Sequence, residues 1–411
     1  MKRLLAVMLA FALGLTACGA GGADDLMKNV PARAVDVLPD LEAGATAAAD
    51  FGVRLFQTSV EAGKNTLISP LSVLYALAMT ANGAEGNTLV QMEQVLGMET
   101  GELNGFMQAY LDLLPESNVY KLSLANSIWL KDDPRFTVQQ SFLQTNADYY
   151  GADAYKAAFD ESTRNDINNW VKKHTDGMIP QIIDEIPEEA VMYLVNALAF
   201  DAEWQEIYEK HQVREGNFYL EDGTTRAVEL MQSEERRYLE DGMATGFIKY
   251  YKDQQYAFAA LLPNEGISVQ EYVASLTGES LLEMLSDPEK VTVFATMPKF
   301  ETEYSTEMSE ALMEMGMTDA FDSRISDFSR LGTYEADGMN ICINRVLHKT
   351  FISVGEKGTR AGAATAVEMV AKGAPLIEDY KTVTLDRPFV YMLIDCQTNL
   401  PFFIGTMMDV G

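Results

Sequence analysis

The chain has 411 residues, 47% of them hydrophobic and 10% aromatic, which excludes a disordered chain and suits a packed core. Acids outnumber bases by 61 to 31, a formal charge of -30, and so acidic a surface argues against binding to nucleic acid or to anionic lipid headgroups. Three cysteines and three histidines leave little material for metal or thiol chemistry, and no cofactor or metal is expected.

In chain order, the first element is a targeting segment. Lys2 and Arg3 precede an apolar run over residues 4–17. A membrane-spanning helix needs about 20 apolar residues, so this shorter run reads as the core of a signal peptide and is set apart from the fold. It ends Leu15-Thr16-Ala17-Cys18, which resembles a bacterial lipobox, with cleavage before Cys18 and a diacylglycerol on its thiol. Residues 18–45 are rich in Gly, Ala and Asp without periodicity and are expected to form a flexible tether. From 46 to 411 there is no linker, repeat or low-complexity tract, so one domain is expected there.

Ser69-Pro70 opens a helix, with serine as N-cap and proline at the first helical position. Residues 71–81 are apolar or small on nearly every side, so this helix is expected inside the protein, ending at Asn82-Gly83. Residues 163–173 read as a more exposed amphipathic helix ended by Gly177, and 308–315 as a short helix stopped at Gly316. Strand-like runs dominate the C-terminal half, at 256–262, 291–297, 346–354, 390–395 and 402–407. Many are apolar on both faces, as in sheets covered on both sides. Helices come first and strands later with no βαβ rhythm, which indicates an α+β fold.

The motifs of the common enzyme classes are absent: no G-x-S-x-G, no H-E-x-x-H, no C-x-x-C and no phosphate-binding Walker loop. Cys342 and Cys396 lie in apolar strand-like stretches and read as free thiols. His174 and His211 read as solvated. His348 shares a strand face with Val346, Thr350, Ile352 and Val354, and reads as a core histidine that needs hydrogen-bond partners.

The segment after that strand is unusual: Glu356, Lys357, Gly358, Thr359, Arg360, Ala361, Gly362, Ala363, Ala364, Thr365, Ala366, Val367. Ordinary surface loops carry Pro, Asn and Asp to fix turns. This one has none, and its side chains are almost all small. As a strand it would turn Thr359, Ala361, Ala363, Thr365 and Val367 to one side, small enough to slide over a packed interior, and Arg360, Gly362, Ala364 and Ala366 to the other.

With these residues in view, the sequence resembles the serpins over essentially all of 46–411. Glu356-Lys357-Gly358-Thr359 and the small-residue run resemble the hinge of inhibitory serpins. Ser69-Pro70-Leu71-Ser72 matches the start of the family's buried helix, and Asn196-Ala197-Leu198-Ala199-Phe200 with Trp204 resembles the strand leading to the top, or breach, of sheet A. Gly316-Met317-Thr318-Asp319-Ala320-Phe321, Asp386-Arg387-Pro388-Phe389 and Pro401-Phe402-Phe403-Ile404-Gly405 match further family segments in family order. Asp201 departs from it, standing where many members carry a base.

The resemblance implies the serpin fold: three β-sheets, about eight or nine helices and an exposed reactive-centre loop. It makes His348 the shutter histidine, bonded to Asn196 and the Ser69/Ser72 region. It implies a suicide inhibitor of serine, or sometimes cysteine, proteases, not an enzyme, whose cut loop inserts into sheet A and traps the acylated protease. In inhibitory members the residue before the cut stands sixteen places after the hinge glutamate, which is Lys372, with Gly373 beyond the bond. Lysine there implies a trypsin-like target. A register one residue shorter would put Ala371 at that place and imply an elastase-like one. The implied partner is a serine protease held covalently by a monomer, with a membrane engaged only through lipid on Cys18. A serpin-fold protein without inhibitory activity and a solute-binding lipoprotein are the alternatives.

Overall fold

The protein is described by a computed structural model, covering residues 22–35, 39–114, 120–187, 190–335, 338–359 and 379–411. The lipobox with Cys18, the loop from Arg360 through Thr365 and the Lys372-Gly373 bond lie outside the described residues. Among the described residues there are nine α-helices and four sheets, of seven, six, four and two strands. The smallest sheet, Gly332–Tyr334 with Phe136–Val138, is an addition to the three expected. No described helix is long and apolar enough to cross a membrane.

The helix Pro70–Ala81 is buried at every position, and the Ser69 hydroxyl oxygen accepts from the Ser72 backbone N–H at 3.3 Å. It runs between the seven-stranded sheet and the six-stranded sheet, touching Tyr120–Lys131 and Met192–Glu203 on one side and Pro401–Met407 on the other. Its all-round apolar sequence follows from that position. The amphipathic helix spans Glu161–His174, two residues longer at its start than its pattern shows, because Asp160 caps it by accepting from the N–H groups of Ser162 and Thr163. His174, expected to be solvated, is half-buried: its ring packs on Trp170 at 4.2 Å, with Nδ1 2.7 Å from the Trp170 carbonyl oxygen. The one-turn spacing brings the two rings together on one helix face.

The seven-stranded sheet, sheet A, has the order Asp24–Asp25, Asp153–Ala157, Tyr120–Lys131, Met192–Glu203, Gly358–Thr359, Arg345–Gly355, Phe300–Glu307. Its centre forks. Met192–Glu203 and Arg345–Gly355 pair directly and in parallel from Tyr193↔Arg345 to Leu198↔Thr350. Beyond that the two strands part, and Gly358–Thr359 enters between them, antiparallel to both.

The stretch expected to be a tether is attached to the domain wherever it is described. Asp24–Asp25 forms the edge strand of sheet A, Ala23 donates its N–H to the Asp166 carboxylate at 3.0 Å, and Arg33 forks onto Asp148 with its closest contact at 2.6 Å. Helix Leu41–Ser59 already begins inside it, capped by Asp40. Edge pairing uses backbone groups, which composition does not reveal.

Candidate functional site

Two groups of residues lie along the fork of sheet A. The lower one sits in the parallel-paired section, where His348 lies directly across from Asn196. The Ser69 backbone N–H donates to His348 Nε2 at 3.0 Å. Nε2 is therefore the bare nitrogen, and the proton on Nδ1 is donated to Asn196 Oδ1 at 2.5 Å. The Asn196 amide donates to Asn126 Oδ1 at 2.8 Å, and the Ser72 hydroxyl reaches the same oxygen at 3.4 Å. His348, Asn196, Ser69 and Ser72 are each 0% exposed. Burial pushes the His348 pKa down to about 3, so the ring is neutral and its two nitrogens keep their distinct roles. The structure thus brings together Ser69, Ser72, Asn196 and His348. It adds Asn126, which sequence reading missed, because its part depends on the register that sets it across from Asn196 on the neighbouring strand.

The upper group surrounds the hinge. Glu356 and Lys357 form the turn between Gly355 and Gly358. Trp204 fastens this turn twice, its backbone N–H donating to the Lys357 carbonyl and its indole N–H to the Gly355 carbonyl, both at 2.8 Å. The Tyr208 backbone N–H holds the Glu356 carbonyl at 2.8 Å. Lys299 bridges Glu356 and Glu229 at 2.7 and 2.8 Å, tying the hinge to the four-stranded sheet. Partial burial opposes ionisation of Glu356, but the Lys299 ammonium, a backbone hydrogen bond and the Lys357 charge together offset it and hold the carboxyl below its ordinary range. An open cleft of about 800 Å³ lies beside the turn, lined by Tyr208, Glu229, Glu356 and Lys357.

Gly358 fits because only glycine can: at φ +154° a Cβ would stand 1.9 Å from the Ala202 carbonyl oxygen. Thr359, in the hinge whose loop is expected to insert on cleavage, is already inside the sheet, 0% exposed and paired with Ala202 and Val354. Its hydroxyl hydrogen-bonds the Tyr251 hydroxyl. Behind this contact Tyr251 stacks on Trp204 with ring centres 4.4 Å apart. Sequence reading also missed Lys249. It is buried at the top of the six-stranded sheet, with its ammonium 2.9 Å from Glu235 and above the rings of Tyr208 and Trp204 at 4.4 and 5.5 Å.

Geometry and comparison lead to the same class of protein. The sequence profile of the family described as Serpin (serine protease inhibitor) matches residues 46–410, and the chain belongs to that family. Among its relatives, Serpin B6 of Macaca fascicularis is 31% identical over 88% of this chain and 98% of its own length. An uncharacterized serpin-like protein of Thermococcus kodakarensis is 28% identical over 94% of this chain and 90% of its own. Of solved structures, the thermophilic serpin tengpin in its native state is 47% identical, with a TM-score of 0.90 over 94% of this chain and all of that one. Tengpin in its latent state gives a TM-score of 0.80 over 92% of this chain and all of that one.

Proposed function

We propose that this chain is an inhibitory serpin that traps a trypsin-like serine protease covalently at Lys372-Gly373. The observation that carries the reading is the forked centre of sheet A, with the hinge seated as its wedge. Below Thr359 the two central strands meet through six parallel residue pairs. A strand continuing downward from Thr359 would be antiparallel to both neighbours. Insertion therefore exchanges one parallel interface for two antiparallel ones, roughly doubling the strand pairing in a geometry slightly more stable per residue. The intact protein stores that difference, and cutting the loop releases it. The small side chains at Ala361, Ala363 and Thr365 suit passage between the two strands.

In chemical terms the protease serine Oγ attacks the Lys372 carbonyl carbon. The bond to Gly373 breaks, the Gly373 nitrogen takes a proton and departs as a new amino terminus, and Lys372 remains as an ester on the protease. Insertion competes with hydrolysis of that ester. Carrying the protease away from the loop's starting position distorts its active site, so the ester persists.

The partner is thus a serine protease with an acidic primary pocket. The protein acts as a monomer outside the cytoplasm, anchored through lipid on Cys18, and uses neither cofactor nor nucleic acid. Mixing the protein with trypsin should give a complex that survives boiling in detergent, together with a released peptide beginning at Gly373. Lys372→Ala should abolish trypsin inhibition. A new amino terminus elsewhere in the loop overturns the register, and digestion without a complex overturns the inhibitory reading.

A further inference from the structure

We propose that Tyr251 is a positioning residue for loop insertion: its hydroxyl, bonded to that of Thr359, holds the hinge in sheet A as a seed strand before any protease arrives. This rests on the inhibitory reading above and adds to it a residue outside the loop that sets the outcome.

A strand of two residues, Gly358 and Thr359, has too few backbone bonds to hold itself in a sheet, and short strand ends fray. Something beyond backbone pairing must keep Thr359 in place. Its buried hydroxyl needs a partner, and Tyr251 supplies one.

Tyr251 itself cannot follow a departing hinge. It is 0% exposed, and its ring is fixed against Trp204, with Phe200 edge-on at 5.0 Å. Its backbone N–H donates to the Tyr256 carbonyl at 3.0 Å. Trp204 is fastened in turn by the Lys357 and Gly355 carbonyls and by the Lys249 ammonium above its ring. Withdrawal of Thr359 leaves the Tyr251 hydroxyl buried and fixed without this bond. Burial keeps the phenol protonated and so able to donate.

The kinetic consequence follows from the fork. With Thr359 seated, the strands are already parted at the top, and insertion only extends an existing strand. With Thr359 released, the first pair on each side must form while the protease ester is being hydrolysed. Preorganisation of the first step favours trapping over release.

The test uses Tyr251→Phe, which keeps the ring and its stacking, and Thr359→Val, which keeps the shape. Three measurements are made on the full chain. Amide exchange over residues 356–359 of the uncut protein should quicken about fivefold in either variant, and no further in the double variant, because the two share one hydrogen bond. After the loop is cut, the gain in heat resistance that reports insertion should develop more slowly. With trypsin, more inhibitor should be consumed per trapped protease. Unchanged exchange in both variants overturns the anchoring, and quickened exchange with unchanged insertion overturns the seeding. If the wild type traps no protease while exchange and insertion respond as stated, the inhibitory reading falls and the role of Tyr251 in insertion stands.

Discussion

At the scale of single residues, His348 carries the clearest energetic consequence. Replacing it with alanine strands the Ser69 N–H and the Asn196 amide oxygen and leaves a hole in the core, at a cost of about 3 kcal/mol. The His348→Ala protein should unfold at a lower temperature and convert more readily to inserted or polymeric forms, because its bond to Asn196 joins the two strands that insertion separates. The pH dependence has a definite sign. Native His348 resists protonation down to about pH 3, whereas an unfolded histidine takes up a proton near pH 6.5. Its contribution is complete above about pH 6.5 and is lost as pH falls through the window below, by up to about 1.4 kcal/mol per pH unit. Asp386 and Asp395, whose carboxyls burial pushes upward, act in the opposite sense. Thermal unfolding between pH 7 and 5 should therefore show the histidine slope, and His348→Gln should flatten it. A wild-type curve that is flat across this interval would remove the assignment. The need for partners at His348 was legible in the sequence from one strand face. The part played by Asn126 was not, since it depends on a register between strands about 70 residues apart.

At the scale of elements, the hinge is a strand that has begun and stopped. Thr359→Arg would place a cation where the structure has a buried, paired threonine, and burial of an unpaired charge costs several kcal/mol even after relaxation. The variant should expel the Gly358–Thr359 strand from the intact protein and fail to insert its loop after cleavage. Trypsin should cut it normally yet form no stable complex, and cutting should bring little of the gain in heat resistance expected of wild type. Equal inhibition by the two proteins would refute loop insertion as the trapping step. The pattern of the element was readable in its small alternate side chains. How far it already sits inside the sheet was not, because Tyr251 lies about 100 residues away in sequence. The edge strand Asp24–Asp25 was hidden for a related reason: two aspartates predict no strand, and their pairing is decided by the exposed edge of Asp153–Ala157.

At the scale of the whole molecule, the family order of motifs made the fold legible, since each matched a segment needed to build one core. The lipid anchor is the remaining prediction at this scale. Cys18→Ala should move the protein from the membrane fraction to the soluble fraction or block its processing, and equal retention of the variant would refute the lipobox.

The docked amino-terminal strand has a consequence for orientation. Asp25 pairs with Tyr155, which lies across from Trp129 and then Tyr193, at the start of the central strand, whereas the hinge pairs with Ala202 near its end. At about 3.3 Å per residue these points lie roughly 30 Å apart along sheet A. Cys18 stands six residues before Asp24, a reach of no more than about 20 Å. A lipid there would moor the molecule by the pole remote from its hinge, so that the hinge end of sheet A is turned away from the bilayer.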